Sequence, residues 1–264
     1  VHVPVFNPVV VAKMGATLDH ISGGRWGVNL VSGWSKKEFE MMGVKLLPHE
    51  ERYRRTAAFI EILKGLWVNP PGTFNHHSPW YEIKDGYCLP QPKLMPEIAN
   101  AGTSEDAKEM TTSLCDWAFI STPTIEAVSE IIEDISLRAK KKARQVQCAA
   151  FPFVLWRDSE DEAHHELARI IAQKDEVAAQ NWLDGLAIGS GSFDQFTLDM
   201  MTVGAGAVHV IGTAEQVATK IKTMHDAGLG GILMVFQAYL QDTIKFRKEI
   251  MPLLYEMGVI SKLN

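Results

Sequence analysis

The alternation of short apolar segments with longer amphipathic ones limits the folds open to this chain more than any other feature. From Trp26 onward, segments rich in β-branched or aromatic residues alternate with helical patterns, as in βα units around a parallel sheet. The candidate strands are Trp26–Ser32, Glu97–Ala101, Trp117–Ser121, Val146–Leu155 and Gly231–Phe236. Most of them are near-continuous apolar runs, typical of strands covered on both faces. The pattern predicts an α/β fold with a parallel sheet.

Helices are predicted around these strands, and several have clear start signals. The predicted helices are Val9–His20, Glu50–Trp67, Glu105–Ser113, Thr124–Lys142, Glu160–Ala172, Ala214–Ala227 and Asp242–Met257. Ser159 and Thr213 are each followed three residues later by Glu or Gln, as in a capping box. Pro123 suits the first position of the helix near Thr124.

The number of strands bears on the architecture. A closed (β/α)8 TIM barrel needs eight βα units, and only five such strands are visible. If Val1–Pro4 is the end of one further strand, the N-terminal two to three units are absent from the sequence. We therefore interpret residues 1–264 as a single, incomplete TIM-barrel domain. The glycine-rich segment Asp184–Ala207 is predicted to be a mobile loop insertion before the last strand.

Composition excludes some classes of partner. The net charge is -6, with 26 Lys and Arg against 32 Asp and Glu, so nucleic acid is not an expected partner. The basic cluster in 138–144 is interpreted as the solvated end of a helix. No apolar run approaches the ~20 residues of a membrane span, so no membrane association is expected. The three cysteines have no Cys-x-x-Cys spacing, which favours a reducing, cytoplasmic location.

No metal site is predicted. The segment His164–Arg169 imitates a zinc-binding helix but has Arg in place of the second His. His76 and His77 are interpreted as a solvated pair in a polar loop. Gly204–Gly206 lacks the third glycine of a dinucleotide fingerprint and precedes a predicted strand, so it is weak evidence for a nicotinamide site.

Polar residues at the end of the first complete strand mark a candidate site. Asn29 brings a donor and an acceptor to an otherwise apolar position at the strand end where barrels bind ligands. An amide buried there needs a partner, which is either a ligand or another protein group. The sequence alone leaves both readings of Asn29 open.

Five segments resemble, in order, the bacterial luciferase-like flavin monooxygenases, and within them the branch of dimethyl sulfone, alkanesulfonate and pyrimidine monooxygenases. These segments are Asn29–Trp34, His49–Arg55, Gly65–Trp67, Asn100–Ser104 and Ile211–Ala218. The resemblance is weakest between Ala172 and His209. It implies a luciferase-type TIM barrel and an enzyme that uses reduced FMN (FMNH2) and O2 to oxygenate a small organic substrate.

The resemblance also assigns roles to individual residues. The residues expected to bind the cofactor are Asn29, Glu38, His49, Arg52, Tyr53, Gly102 and Ser104. Asn29 and Glu38 would lie beside the flavin, and Asn29 is the catalytic candidate because it would face the position where oxygen reacts. The others would hold the ribityl phosphate, with Gly102 allowing a close approach at a helix N-terminus. The acidic pair Glu105 and Asp106 is compatible with a phosphate there only if it faces outward.

The resemblance further implies that the flavin performs the chemistry, so that no protein nucleophile is needed. Trp34 and Phe236 would line the flavin or substrate site, or else be core aromatics. Asp184–Ile211 contains no Arg, which favours a small neutral substrate, such as a sulfone or a pyrimidine-like ring, over an anionic sulfonate. The expected partners are an NAD(P)H:flavin reductase and further copies of the chain in a dimer or tetramer. The alternative is a non-catalytic flavin-binding protein or a partner subunit of a luciferase-type heterodimer.

Overall fold

The computed structural model describes residues 1–186, 199 and 202–261. By its internal contacts the chain divides into two compact units, one formed by 1–119 with 138–146 and the other by 120–137 with 147–264. The single barrel domain therefore stays a prediction. No helix among the described residues is long and apolar enough to cross a membrane.

The first unit contains helices and strands in mixed order. Its elements are α1 (Pro8–Ser22), β1 (Gly27–Asn29), α2 (Lys36–Met41), α3 (His49–Val68), β2 (Phe74–His77), β3 (Glu82–Gly86), β4 (Glu97–Asn100), α4 (Glu105–Leu114) and β5 (Trp117–Ile120). Strands β1, β4 and β5 pair in parallel, with Val28 opposite Ile98 and Ala99 opposite Trp117. The sequence pattern of strand, helix and parallel strand is thus confirmed.

Residues 1–3 also pair in parallel with the chain just after β1. The Val3 amide donates to the Val31 carbonyl at 3.0 Å, and the Val31 amide donates to the Val1 carbonyl at 2.9 Å. These bonds fit the expectation that Val1–Pro4 is the end of a strand. Asn7 then caps α1 through its side chain, and Pro8 occupies the first helical turn, where its missing N–H costs nothing.

The core of the first unit lies between α3 and the sheet. Side chains alternate along β1, so Val28 and Leu30 point toward the helices while Asn29 points to the opposite face. Phe59 and Leu63 of α3 are fully buried in the same apolar cluster as these two residues. The packing fixes the face of each strand, and with it the direction of the polar residues at the strand ends.

The second unit contains the remaining strands and their helices. Its elements are α5 (Ile125–Lys141), β6 (Gln147–Ala150), β7 (Pro152–Trp156), α6 (Glu160–Ala172), α7 (Glu176–Leu186), β8 (Val208–Gly212), α8 (Ala214–Asp226), β9 (Leu229–Ile232), α9 (Tyr239–Glu249) and α10 (Met251–Glu256). The last four residues of α5 fall in the first unit. β6 pairs with β9 and β7 with β8, all in parallel. Phe153 of β7 also forms a parallel bridge with Val235, beyond the end of β9.

Several sequence expectations are corrected by the structure. His76 and His77 lie on β2 of a β-hairpin and not in a loop, because β2 pairs with β3 through their backbones and needs no apolar alternation. The helix at 242–257 begins earlier and is divided at Ile250, since Pro252 cannot continue the backbone hydrogen bonding. α5 begins at Ile125 after Thr124 accepts the Ala127 amide, so Pro123 precedes the cap.

Most of the remaining assignments are confirmed, but the strand predicted at Gly231–Phe236 lies at Leu229–Ile232. Val146–Leu155 forms two strands, β6 and β7, separated at Phe151. Thr213 and Gln216 form the reciprocal capping box of α8. Most of the predicted insertion Asp184–Ala207 lies outside the described residues.

Candidate functional site

The junction between β4 and α4 is a turn with its backbone held in place by a buried amide. Asn100, 2% exposed at the end of β4, donates through Nδ2 to the Leu30 carbonyl at 2.7 Å. Its Oδ1 accepts the Gly102 amide at 2.9 Å. Asn100 therefore ties the neighbouring β1 chain to the turn that precedes α4. Sequence reasoning assigned Asn100 no role of its own, although an Asn two residues before a Gly is a recognisable turn signal.

The N-terminus of α4 is capped by Ser104. The Ser104 Oγ accepts the Ala107 amide at 3.3 Å, and the other N–H groups of the first turn have no partner within the helix. Unpaired N–H groups and the helix dipole make this end attractive to an anion. The structure thus places Ser104 at the start of a helix, as the sequence predicted, and its contact with a phosphate stays a prediction.

Gly102 lies in a space that no side chain could share. A Cβ built on Gly102 would lie 2.4 Å from the Ala107 Cβ and 2.6 Å from the Tyr53 Oη. Tyr53 comes from α3, so α3 presents its hydroxyl at the start of α4. Among the described residues this hydroxyl has no hydrogen-bond partner, which leaves it available to a ligand.

His49 lies one helical turn before Tyr53 on α3. The two rings are 5.0 Å apart between centroids, and the His49 Nδ1 is 3.0 Å from the Asp106 Oδ2. The side chains of the acidic pair, Glu105 and Asp106, therefore have different partners. Glu105 faces Arg138, with the Arg138 Nη2 2.7 Å from its carboxylate, whereas Asp106 faces the site through His49. The condition under which the acidic pair is compatible with a phosphate, that both carboxylates face outward, is met by Glu105 and not by Asp106.

Arg52 is on the same helix but reaches a different segment. Its Nη1 donates to the Gly33 carbonyl, while its Nε is buried without a hydrogen-bond partner among the described residues. On the next turn of α3, the Thr56 hydroxyl donates to the buried Ser32 hydroxyl at 2.8 Å. Helix α3 thus holds the segment after β1 at two points, and Arg52 keeps one buried donor unused.

Asn29 and Glu38 lie apart from this group. The Asn29 side chain is exposed, so the expectation of a buried amide is wrong; it projects from the face of β1 opposite the helices. Glu38 is exposed on the first turn of α2. Neither side chain forms a hydrogen bond or ion pair with another described residue.

A second polar cluster occupies the second unit. Arg157 follows β7, and its Nη2 is 3.3 Å from the Glu166 Oε1. The Arg169 Nε donates to the Glu166 Oε2 at 2.7 Å. These guanidinium groups, led by the Arg169 hydrogen bond, lower the pKa of Glu166 to about 2. Arg169, which stands where a zinc-binding helix has its second His, pairs with Glu166. Among the described residues there is no group of three or more His, Cys, Asp or Glu side chains that could hold a metal ion.

Phe236 is a core aromatic in this structure. It is 5% exposed and packs edge-on against Trp156, with ring centroids 6.2 Å apart. The Trp156 Nε1 in turn donates to Glu249 at 2.6 Å. Of the two readings left open by the sequence, packing accounts for Phe236 fully.

The parallel α/β architecture and the anion-attracting helix end define a class of proteins that hold phosphate-bearing ligands at strand ends. Residues 1–230 match the luciferase-like monooxygenase family. The chain belongs to this family.

Two relatives and one solved structure illustrate the similarity. The chain is 34% identical over 263 residues to the FMNH2-dependent dimethylsulfone monooxygenase of Pseudomonas putida, covering 96% of this chain and 72% of that protein. It is 28% identical over 265 residues to the pyrimidine monooxygenase RutA of Agrobacterium fabrum, covering 95% and 71%. A crystal structure of riboflavin lyase RcaE with modified FMN and riboflavin superposes with a TM-score of 0.86 at 21% identity, covering 99% and 70%. The fold is therefore luciferase-like.

Proposed function

We propose that the protein is a monooxygenase that uses FMNH2 and O2 to oxygenate a small organic substrate. The observation that carries the proposal is the arrangement at the start of α4, where Gly102 leaves no room for a side chain and the Tyr53 hydroxyl lies beside it. This arrangement occurs in a chain whose curated relatives are named as FMNH2-dependent enzymes.

The residues present fit a phosphate-bearing flavin. The α4 N–H groups, Ser104, the Tyr53 hydroxyl and the His49 ring supply hydrogen-bond donors for a dianion, and Arg52 supplies positive charge. The buried, unpartnered Arg52 Nε supports this fit, because an unused buried donor costs free energy until a ligand or water satisfies it. When bound, reduced FMN supplies the two electrons with which one oxygen atom of O2 enters the substrate and the other leaves as water.

The residues of the protein bind and orient the flavin and the substrate, and they exclude water from the site. Asn29, exposed on the face of β1 away from the helices, supplies an amide for the flavin edge or for the reacting oxygen. Glu38, exposed on the first turn of α2, would lie beside the flavin. A preorganised donor lowers the barrier when it faces charge that develops in the transition state, and Asn29 is the residue to which we assign that role.

The substrate is small and neutral. The relatives named above act, by their names, on dimethyl sulfone and on pyrimidines, both of which are uncharged. The segment Asp184–Ile211 contains no Arg that could pair with a sulfonate. A sulfone or a uracil-like ring is therefore the substrate class that we propose.

We assign the protein to the cytoplasm as a homodimer or homotetramer, working with a separate NAD(P)H:flavin reductase. Its three cysteines, Cys88, Cys115 and Cys148, are buried and unpaired, in keeping with a reducing compartment. Burial raises the pKa of the Cys115 thiol to about 12 and that of Cys148 to about 11, so neither thiol is reactive at neutral pH.

The test combines binding with turnover. The protein is titrated with FMN and then supplied with a flavin reductase, NADH and 18O2 in the presence of dimethyl sulfone, uracil or methanesulfonate. We expect one 18O atom in the product of a neutral substrate and none from methanesulfonate. FMN binding with no 18O incorporation into any substrate would favour the non-catalytic flavin-binding alternative.

A further inference from the structure

Asp106 occupies a position that is unfavourable for phosphate binding. Its carboxylate is on the first turn of α4, the helix whose N-terminus attracts an anion, and a negative charge there repels a phosphate dianion. The neighbouring Glu105 avoids the conflict by facing Arg138 and Lys108, whose charged nitrogens lie 2.7 and 3.7 Å from its carboxylate oxygens. Asp106 has no such outward partner in the described chain.

The only hydrogen-bond partner of the Asp106 carboxylate among the described residues is His49. The His49 Nδ1 lies 3.0 Å from the Asp106 Oδ2, and the two side chains are 48% and 45% exposed. A pair this exposed contributes little to folding stability, because solvent screens it. The contact therefore calls for an explanation other than stability.

We propose that Asp106 is a positioning residue that holds the His49 ring for the phosphate of the cofactor, an inference that rests on the proposed FMN site. With Nδ1–H donated to Asp106, the ring is fixed and Nε2 remains for the ligand. A ring that carries both protons donates to the carboxylate at one nitrogen and to a phosphate oxygen at the other. The Tyr53 ring, 5.0 Å away, restricts the imidazole from a second side.

The two effects of Asp106 have opposite signs, and this makes the proposal testable. As a bare charge, Asp106 weakens phosphate binding, so its removal would strengthen FMN binding about two- to fivefold. As a positioning residue, its removal frees His49 and weakens FMN binding on the order of tenfold, the value of one charge-assisted hydrogen bond. The direction of the change decides between the two.

The experiment compares Asp106→Ala with Glu105→Ala, which removes the same charge from the same helical turn without touching His49. Dissociation constants for FMN and riboflavin are measured by flavin fluorescence, and circular dichroism checks that each variant is folded. We expect Asp106→Ala to weaken FMN binding about tenfold and to leave riboflavin binding unchanged. Glu105→Ala should leave FMN binding unchanged or slightly stronger.

A second comparison uses the His49→Ala background. If Asp106 acts through His49, Asp106→Ala in that background gives no further weakening and shows only the charge effect, a slight strengthening. Tighter FMN binding in the single Asp106→Ala variant, or equal weakening with and without His49, overturns the inference.

The outcomes separate this inference from the proposed function. If the wild-type protein binds FMN no better than riboflavin, the phosphate site itself fails, and Asp106 has no phosphate to serve. If the wild-type protein prefers FMN but Asp106→Ala behaves like Glu105→Ala, the phosphate site stands and only the role of Asp106 is lost. Asp106→Glu provides a third control, since a carboxylate that still reaches His49 should restore part of the affinity.

Discussion

At the scale of single residues, Gly102 gives the strictest steric prediction. Gly102→Ala would bring a methyl group within 2.6 Å of the Tyr53 Oη, so the hydroxyl must move or α4 must shift. Overpacking of this kind costs about 1–3 kcal/mol. We expect a lower melting temperature together with at least tenfold weaker FMN binding, on the order of one lost charge-assisted hydrogen bond.

Gly72→Ala is the matched control for this variant. Gly72 has a φ of 80° with no atom within 4 Å of an added Cβ, so the substitution costs about 1 kcal/mol of backbone strain alone. Its melting temperature should fall while FMN binding stays unchanged. A folded Gly102→Ala variant with normal FMN affinity would show that Tyr53 does not serve the phosphate.

Asn29 should affect turnover more than binding. Its side chain is exposed and makes no hydrogen bond within the described protein, so Asn29→Ala removes no structural contact. Loss of a donor that faces developing charge reduces the rate by ~100- to 1,000-fold, whereas a lost ground-state hydrogen bond weakens binding by roughly tenfold. Rapid-mixing spectra of reduced FMN with oxygen, beside an FMN titration, measure both quantities. Normal spectra and normal turnover would make Asn29 a plain surface amide.

Residue positions were predictable from the sequence where spacing alone decides them. His49 and Tyr53 are four residues apart, and the predicted helix Glu50–Trp67 begins one residue after His49, so their proximity follows once α3 starts at His49. The contact between His49 and Asp106 joins residues 57 positions apart, and it depends on how α3 packs against α4. No local sequence pattern predicts how these helices pack, and none predicts the hydrogen bond from Asn100 to the Leu30 carbonyl.

At the scale of elements, a comparison of two serine-capped helices, α4 and α6, separates structural effects from functional ones. Ser104 accepts the Ala107 amide at 3.3 Å, and Ser159 accepts the Glu162 amide at 3.2 Å. Each change to Ala should cost about 1 kcal/mol of stability. Only Ser104→Ala should also weaken FMN binding, because only α4 carries the proposed phosphate site. Equal FMN affinities for the two variants, measured beside urea unfolding, would place the phosphate elsewhere.

Helices and strands were predictable from the sequence where burial produces a pattern of apolar residues. They were missed where the element is largely exposed. β1, β4 and β5 lie in predominantly apolar segments, and Val28, Ile98, Ala118 and Ile120 of these strands are buried. Phe74–His77 is a polar strand on an exposed hairpin, where backbone pairing with β3 stabilises it without an apolar pattern. The short helix α2, capped by Ser35, was not predicted either, because its six residues bury only Phe39 and therefore show no apolar periodicity.

At the scale of the whole molecule, we expect the electrons to be supplied from outside the chain. In a dinucleotide-binding fold the glycine-rich turn leads into a helix whose N-terminus receives the pyrophosphate. Here Gly204, Ala205 and Gly206 all have positive φ, but they lead into strand β8 and present no helix end to a nicotinamide cofactor.

We therefore expect no NADH oxidation when NADH and oxidised FMN are added to the purified protein alone. Adding a flavin reductase should start both NADH oxidation and substrate oxygenation, followed at 340 nm and by mass spectrometry respectively. Sustained NADH oxidation without the reductase would mean that the protein reduces its own flavin.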